Sequence, residues 1–304
     1  MRNGLLKISV VITLAVIAFS AYGKKRDDSI KPYLETRINH KNIVEGQLMI
    51  YEVVLHSPDP NIAGVELFSN PHFDDLPATR SAADNRLAET EHDGRKYYSV
   101  VVDRLFIAAD AVGKHKLKGG EYKIGYNRQM TMQDPFWGPY VANRVEAVSV
   151  TAPDVDINIV ALPEKGKPDD YSGAVGDYEI DVEVASGKIY AGEEAVAIVT
   201  ISGSGDLSNA TLPDVKSIFN DSLQFHSMTD NRSHYVKDGD IASEIEIECR
   251  FVPQKEGDFE LGECSFTFYN PDKKKYERIM SERVNIEVEK FTSSKDSPPQ
   301  YMDI

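Results

Sequence analysis

The sequence predicts an all-β protein made of two tandem immunoglobulin-like β-sandwich domains, and three observations predict it. Apolar and polar residues alternate in short runs, as at Tyr178, Ile180, Val182 and Val184, which is the period of a half-buried strand. Turn formers separate these runs and no stretch carries a helical period, the pattern of a sandwich. The two halves also repeat. Val44-Glu45-Gly46-Gln47 precedes the run Leu48 to Leu55 as Ala191-Gly192-Glu193-Glu194 precedes Ala195 to Ile201, and Ala109 to His115 is similar to Pro253 to Phe259. Gly46 and Gly192 stand 146 residues apart, Gly113 and Gly257 144, and the closing runs at Val145 and Val284 139. Offsets that drift so little are what duplication followed by loop insertions and deletions leaves.

At the N-terminus, Arg2 and Lys7 precede an apolar run from Ile8 to Phe19, and Ala21-Tyr22-Gly23 follows it. Positive charge, apolar run and small residues in that order predict a secretory signal peptide over residues 1–23. The run is about a dozen residues, short of the ~20 that span a bilayer as a helix, so a retained N-terminal membrane anchor is the secondary reading. No cysteine lies near the cleavage point to carry a lipid. The expected location is periplasmic or secreted, in the cell envelope. Removing 23 of 304 residues leaves 281, enough for two domains of ordinary size: a first sandwich over 24–153, a linker over 154–177 and a second sandwich over 178–290. A formal net charge of −15 repels nucleic acid and anionic lipid headgroups and excludes both as partners.

The linker centres on Leu162 to Tyr178, where Pro163, Gly166, Pro168, Gly173 and Gly176 interrupt both helix and ladder. Beyond it, strands are expected near 178–184, 195–201, 223–228, 241–251, 258–268 and 284–288, with a β-bulge at Gly262-Glu263 where the inward parity shifts. Gly203-Ser204-Gly205 reads as a hairpin or edge loop. The chain's two cysteines, Cys249 and Cys264, fall on the fourth and fifth of these strands, which a turn from Pro253 to Gly257 would join as a hairpin. Opposite one another they would be in reach of a disulfide if their Cα atoms lie within about 7 Å; otherwise they are two buried thiols acting as small hydrophobes. The sequence leaves both open. After Lys290, serines, a Pro-Pro pair and little apolar content predict a disordered tail over 291–304.

No pattern in the chain organises catalysis. Its seven histidines form no H-x-H or H-E-x-x-H arrangement, and there is no G-x-S-x-G elbow, G-x-x-x-x-G-K-[ST] phosphate loop or G-x-G-x-x-G cofactor fingerprint. No catalytic residue, cofactor or metal site is expected, and two cysteines without close spacing do not make a zinc site. Asp74-Asp75, Asp154/Asp156 and Asp169-Asp170 read as solvated loop acids, because a catalytic acid needs burial or a close charge partner. Two features point to binding. Glu244, Glu246 and Glu248 alternate with Ile245, Ile247 and Cys249, so all three line one face of a strand, as the wet face of the sheet or as an acidic docking strip for a basic partner. Met130 to Tyr140 gathers Phe136, Tyr140 and the only tryptophan, Trp137, among turn formers. Aromatic and Met side chains are enriched at protein contacts. The loop is read as a contact site, as a cover over the end of its own sandwich, or as a platform for stacking on a sugar.

The stretch LPEKGKPDDYSGAVGDY, residues 162–178, resembles the mid-region of BatD, the oxygen tolerance or aerotolerance family of bacterial envelope proteins. The likeness continues through Ile201 to Leu207, Leu212-Pro213, Phe251 to Gly257 and Phe268 to Pro271, and Asp134 to Trp137 is similar to an aromatic Asp-Pro-Phe run in the same family. The resemblance implies immunoglobulin-like sandwiches and a setting. BatD-like proteins are associated with von Willebrand A domain proteins, tetratricopeptide repeat proteins and a MoxR-type ATPase, in a system linked to aerotolerance or envelope stress. It also implies further extracytoplasmic sequence and a C-terminal membrane-spanning helix, so this chain is expected to be a short relative lacking that region. The functional expectation is an exported, non-enzymatic scaffold or adaptor. A loop carboxylate completing the metal coordination of a von Willebrand A domain is one route to binding, since hard cations prefer oxygen ligands. A glycan-binding or adhesive module is the alternative; an enzyme comes third and would need a buried pair of carboxylates in a cleft.

Overall fold

The computed structural model describes residues 31–185 and 187–290, together with a two-residue strand, β1 (Val11–Ile12). The rest of the expected signal peptide, and the tail expected over 291–304, lie outside the described residues. The chain divides into two compact units, residues 1–161 and 162–304, and both are β-sandwiches.

In the first unit the larger sheet runs β2 (Tyr33–Ile38), β4 (Leu48–Ser57), β8 (Arg95–Ala108), with β6 (Ala78–Arg80) and β7 (Ala88–His92) both paired to β8. A second sheet places β5 (Ile62–Ser69) between β1 and β10 (Glu121–Asp134), with β11 (Gly138–Thr151) at its edge. In a third, small sheet β12 (Val155–Val160) is parallel to β3 (Asn42–Val44) and antiparallel to β9 (Gly113–Leu117). Side chains alternate between the two faces of each strand, and in β4 both faces are covered, with Ile50 and Val54 buried on the outer one. Met49, Tyr51, Val53 and Leu55 of β4 are buried against Ile62, Leu117, Tyr122, Ile124, Ile157 and Ile159 from the other sheets, and fully burying each large aliphatic side chain contributes about 1.5–3 kcal/mol.

In the second unit a six-stranded sheet runs β16 (Leu223–Lys237), β17 (Asp240–Pro253), β15 (Ala195–Asp206), β13 (Val175–Val184), β19 (Ser265–Asn270), β20 (Lys275–Met280). Its small partner sheet is β14 (Ile189–Tyr190), β21 (Val284–Glu289), β18 (Gly257–Leu261). Ile201, Ile245, Ile247, Phe251, Phe266 and Phe268 fill the core, joined by Val215 and Ile218 from a short 3-10 turn.

The internal repeat is visible bond by bond. Gly46 (φ 89°) donates to Ala109 O at 2.9 Å, and Gly192 (φ 83°) to Pro253 O at 2.8 Å. The residues before them, Glu45 and Ala191, donate to carbonyls of the closing strands, Val160 at 2.8 Å and Glu289 at 3.0 Å. Asp93-Gly94 and Asp238-Gly239, all at positive φ, turn the β7–β8 and β16–β17 hairpins; two successive left-handed residues are what a two-residue hairpin turn requires.

Several local expectations are corrected. The run expected as one strand over 258–268 is two, β18 and β19, in different sheets, with Cys264 between them; β17, which carries Cys249, pairs β15 and β16, while β18 pairs β21. Pro253 to Gly257 therefore crosses between sheets and turns no hairpin. At Gly262-Glu263 the chain does not bulge but leaves one sheet for the other. The Gly262 amide donates to Ile218 O at 2.8 Å and the Cys264 amide to Ser281 Oγ at 2.9 Å. Gly203-Ser204-Gly205 lies inside β15, where a Cβ on Gly203 would come 2.1 Å from Asp177 O and one on Gly205 2.3 Å from Tyr178 Oη. Gly203 makes room for the neighbouring backbone at Asp177 and Gly205 for the Tyr178 hydroxyl, which donates to Val175 O at 3.1 Å. The stretch read as a linker over 154–177 is absorbed at both ends. Residues 155–160 are β12 of the first unit, while Tyr171 meets the Tyr276 ring at 5.1 Å and the Ser172 amide donates to Thr267 O at 3.0 Å in the second.

Candidate interaction surface

The β10–β11 hairpin has a core half and an exposed half. From Glu121 to Tyr126, β10 is sandwiched between β5 and β11, and Tyr122, Ile124 and Tyr126 turn into the core. β5 pairs no further than Tyr126. The Asn127 amide still donates to Asn61 O at 2.9 Å; Arg128 to Asp134 then pair with β11 alone, as a ribbon of seven residues that extends roughly 23 Å at the rise of a strand. Arg128 braces its root: Nη1 donates to Asp59 Oδ2 at 2.6 Å and Nε to Glu146 Oε2 at 3.1 Å, and the guanidinium lies 4.9 Å from the Tyr126 ring.

The tip is fixed by local chemistry. Asp134 Oδ1 accepts from the amides of Phe136 at 2.8 Å and Trp137 at 2.9 Å, Pro135 holds its own φ, and Gly138 takes the left-handed conformation at φ 78°. The stretch expected as a loop is thus two strands and a three-residue turn. Phe136 is 91 % exposed and Trp137 90 %, so the turn does not fold back over the sandwich. Tyr140, half-exposed, donates to Met132 Sδ at 3.7 Å, and Met130 shares that face of the ribbon.

Glu244, Glu246 and Glu248 lie on the outer face of β17, across β15 from a second acidic row. The pairing puts Ser202 between Glu244 and Glu179, Thr200 between Glu246 and Asp181, and Ile198 between Glu248 and Glu183. One sheet face therefore carries two rows of three carboxylates, roughly 10 Å apart, two strand spacings. Arg250 borders it, paired with Glu194 at 2.7 Å and Glu248 at 3.5 Å. The β13 row could be found only from the register, since residues 179–183 and 244–248 are remote in sequence.

The remaining chemistry is structural. Cys249 and Cys264 are free, buried thiols in one core. Burial pushes Cys249 up to about 11 and, with the neighbouring Cys249 as a lesser cause, Cys264 up to about 12, so neither supplies a thiolate at neutral pH. A chain of polar groups missed by sequence spacing crosses β2, β4, β8 and β7. Glu35 Oε2 lies 2.8 Å from His56 Nε2, His56 Nδ1 2.7 Å from Ser99 Oγ, and Ser99 Oγ 2.5 Å from Thr90 Oγ1. The order is that of acid, base and nucleophile. Ser99 is only 6 % exposed, however, and its Oγ is engaged on both sides, so the chain ties strands together. A cleft of about 400 Å³ is lined by His72, Asp75 and Arg80 among others, but Arg80 is committed to Asp103 through bonds of 2.7 and 3.0 Å. Among the described residues no cluster of three or more His, Cys, Asp or Glu could hold a metal, and no helix is long and apolar enough to cross a membrane.

Residues 182–288 match the family model described as the BatD DUF11 like domain. No curated protein matches the chain.

Proposed function

On the premise that the chain belongs to the BatD family, whose domain it carries over residues 182–288, we propose that it is a non-enzymatic protein-binding module of the cell envelope, with the aromatic tip of the first unit as its contact. One observation carries the reading: Phe136 and Trp137 stand in water on a tip already fixed by Asp134. Burying each ring in a partner is worth about 1.5–3 kcal/mol, and a pre-set turn spares the ordering cost of a flexible loop. The partners fitting the family setting are von Willebrand A domain and tetratricopeptide repeat proteins of an aerotolerance or envelope-stress system. The acidic face of the second unit supplies carboxylates for a basic surface, or for an open coordination position of a von Willebrand A cation.

Affinity capture from envelope extract tests this, with the wild-type chain beside a Phe136→Ala/Trp137→Ala double variant. Recovery of a von Willebrand A or tetratricopeptide protein by the wild type alone is the expected result. Recovery by both moves the contact off the tip, and a chelator then asks whether a cation bridges it. Failure to recover any protein, with retention on cell-surface polysaccharide that Trp137→Ala abolishes, replaces the reading with a glycan-binding module.

A further inference from the structure

We infer that two copies of the chain form a two-fold dimer by antiparallel pairing of β11 with β11, centred on Val145. β11 pairs β10 on one side and ends its sheet on the other. From Pro139 to Val150 the backbone groups on that outer side have no hydrogen-bond partner among the described residues. An unpaired edge is a template for another strand, and proteins that stay apart blunt it with bulges, prolines or repeated like charges. Between Val141 and Thr151 the register is unbroken and the charged residues are Arg144 and Glu146 alone.

These two charges select one register. The N–H and C=O of a strand point outward at every second residue, so in a ladder between identical antiparallel strands paired residue numbers sum to an even value. The two-fold axis must therefore pass through a residue. With the axis at Val145, Arg144 faces Glu146 of the second copy, twice by symmetry, and Ala142 faces Val148. With the axis one residue earlier Arg144 faces Arg144, and one residue later Glu146 faces Glu146. Like charges directly opposite are destabilising, so the neighbouring registers are disfavoured where the central one is complementary.

Arg144 also lacks what this register supplies. Its cross-strand neighbour within the hairpin is Arg128, whose charge is taken by Asp59 at 2.6 Å and Glu146 at 3.1 Å. Arg144 itself has no ion-pair partner among the described residues. Glu146 is 61 % exposed in its contact with Arg128, a solvent-screened pair, and its second oxygen can accept from Arg144 of the second copy while the first keeps Arg128. The ladder spans Ala142 to Val148. Pro139, with no N–H, stays outside it, and at the other end Thr36 of β2 donates to Pro153 O at 2.7 Å and closes the edge. The aromatic tip lies outside the paired span, so the dimer does not depend on what binds there.

Sedimentation of the purified full chain tests the inference. The wild type is expected as a dimer whose mass rises with concentration. Arg144→Glu and Glu146→Arg should each weaken association on the order of tenfold or more, because both symmetry-related pairs turn repulsive. An equimolar mixture of the two variants should re-form dimers, since the reversed charges then face one another, and that recovery also shows both variants to be folded. Val145→Cys should cross-link on mild oxidation, whereas Asn143→Cys should not, its two copies being roughly 13 Å apart along the ladder and beyond disulfide reach. A wild-type monomer at the highest soluble concentration, a dimer indifferent to both charge reversals, or cross-linking at 143 in preference to 145 overturns it.

Discussion

In the first unit β10 and β11 turn at Asp134-Pro135, and in the second β19 and β20 turn at Asn270-Pro271. Asp134 Oδ1 caps the amides of Phe136 at 2.8 Å and Trp137 at 2.9 Å, as Asn270 Oδ1 caps those of Asp272 at 3.1 Å and Lys273 at 3.0 Å. A left-handed residue follows in each, Gly138 at φ 78° and Lys274 at φ 53°. From this shared turn the two hairpins diverge. β19 and β20 are 6 residues each, β10 and β11 14. The second tip is bound down by charge, Lys273 and Lys275 each reaching Glu277 at 2.9 Å; the first presents two rings to water. The same turn closes a short hairpin in one unit and tips a long exposed ribbon in the other, so the difference between them lies in strand length and in the side chains presented.

The contrast breaks most heavily at the root of the long hairpin. Tyr126 is 2 % exposed, with its hydroxyl 3.0 Å from Ser57 Oγ, and Tyr126→Ala should cost about 3–5 kcal/mol in denaturant unfolding, as Phe266→Ala should in the second unit. A loss under about 1 kcal/mol would mean that this half of β10 is not core. Arg128→Ala comes next. It removes the guanidinium that Asp59, 13 % exposed, meets at 2.6 Å, at about 1–3 kcal/mol, and amide exchange should quicken in 128–134 while β19 stays protected. In the short hairpin acid takes the place of mutation. Hydrogen bonds from Lys273 and Lys275 hold the Glu277 carboxyl below its ordinary range. A lowered folded pKa means a stabilisation present above the unfolded value and lost as pH falls through the folded one. Glu277→Gln should thus lower the thermal midpoint slightly at neutral pH and not at all once the medium is acidic enough to protonate the wild-type carboxyl. The smallest change in stability belongs to the tip itself: Phe136→Asp/Trp137→Lys, which copies the charged tip, should stay within about 0.5 kcal/mol of wild type while abolishing capture. A larger loss would show the rings packing on their own unit.

Alternation made the core legible in advance. Ile245, Ile247 and Phe251 point inward as their spacing requires, and the paired glycines Gly46/Gly192 announced equivalent turns because a left-handed backbone favours that residue. What spacing could not convey was partnership. Cys249 and Cys264 looked like facing residues of a hairpin because two runs flank a turn, yet an identical pattern serves a crossover between sheets. Gly203 and Gly205 read as a loop because glycine usually marks one; here they yield space to the Asp177 backbone and the Tyr178 hydroxyl of a neighbouring strand, a reason that exists only in three dimensions. The tip residues were visible as an aromatic cluster, but their exposure depends on where β5 stops pairing. The second acidic row and the Glu35–His56–Ser99 chain likewise depend on which strands meet.

Each small sheet joins the first and last parts of its unit: Asn42 to Val44 lie beside Asn158 to Val160, and Ile189-Tyr190 beside Val288-Glu289. A chain made from its N-terminus cannot finish the first unit until residue 160 has emerged, 118 residues after residue 42. Contacts this distant in sequence are slow to form. Until they do, Ile43 and Ile159, 3 % and 1 % exposed at the end, remain in water with strand edges open beside them. The nascent unit therefore passes through an interval of adhesiveness that ends only with its final strand, and a chaperone or a protease has that interval in which to act.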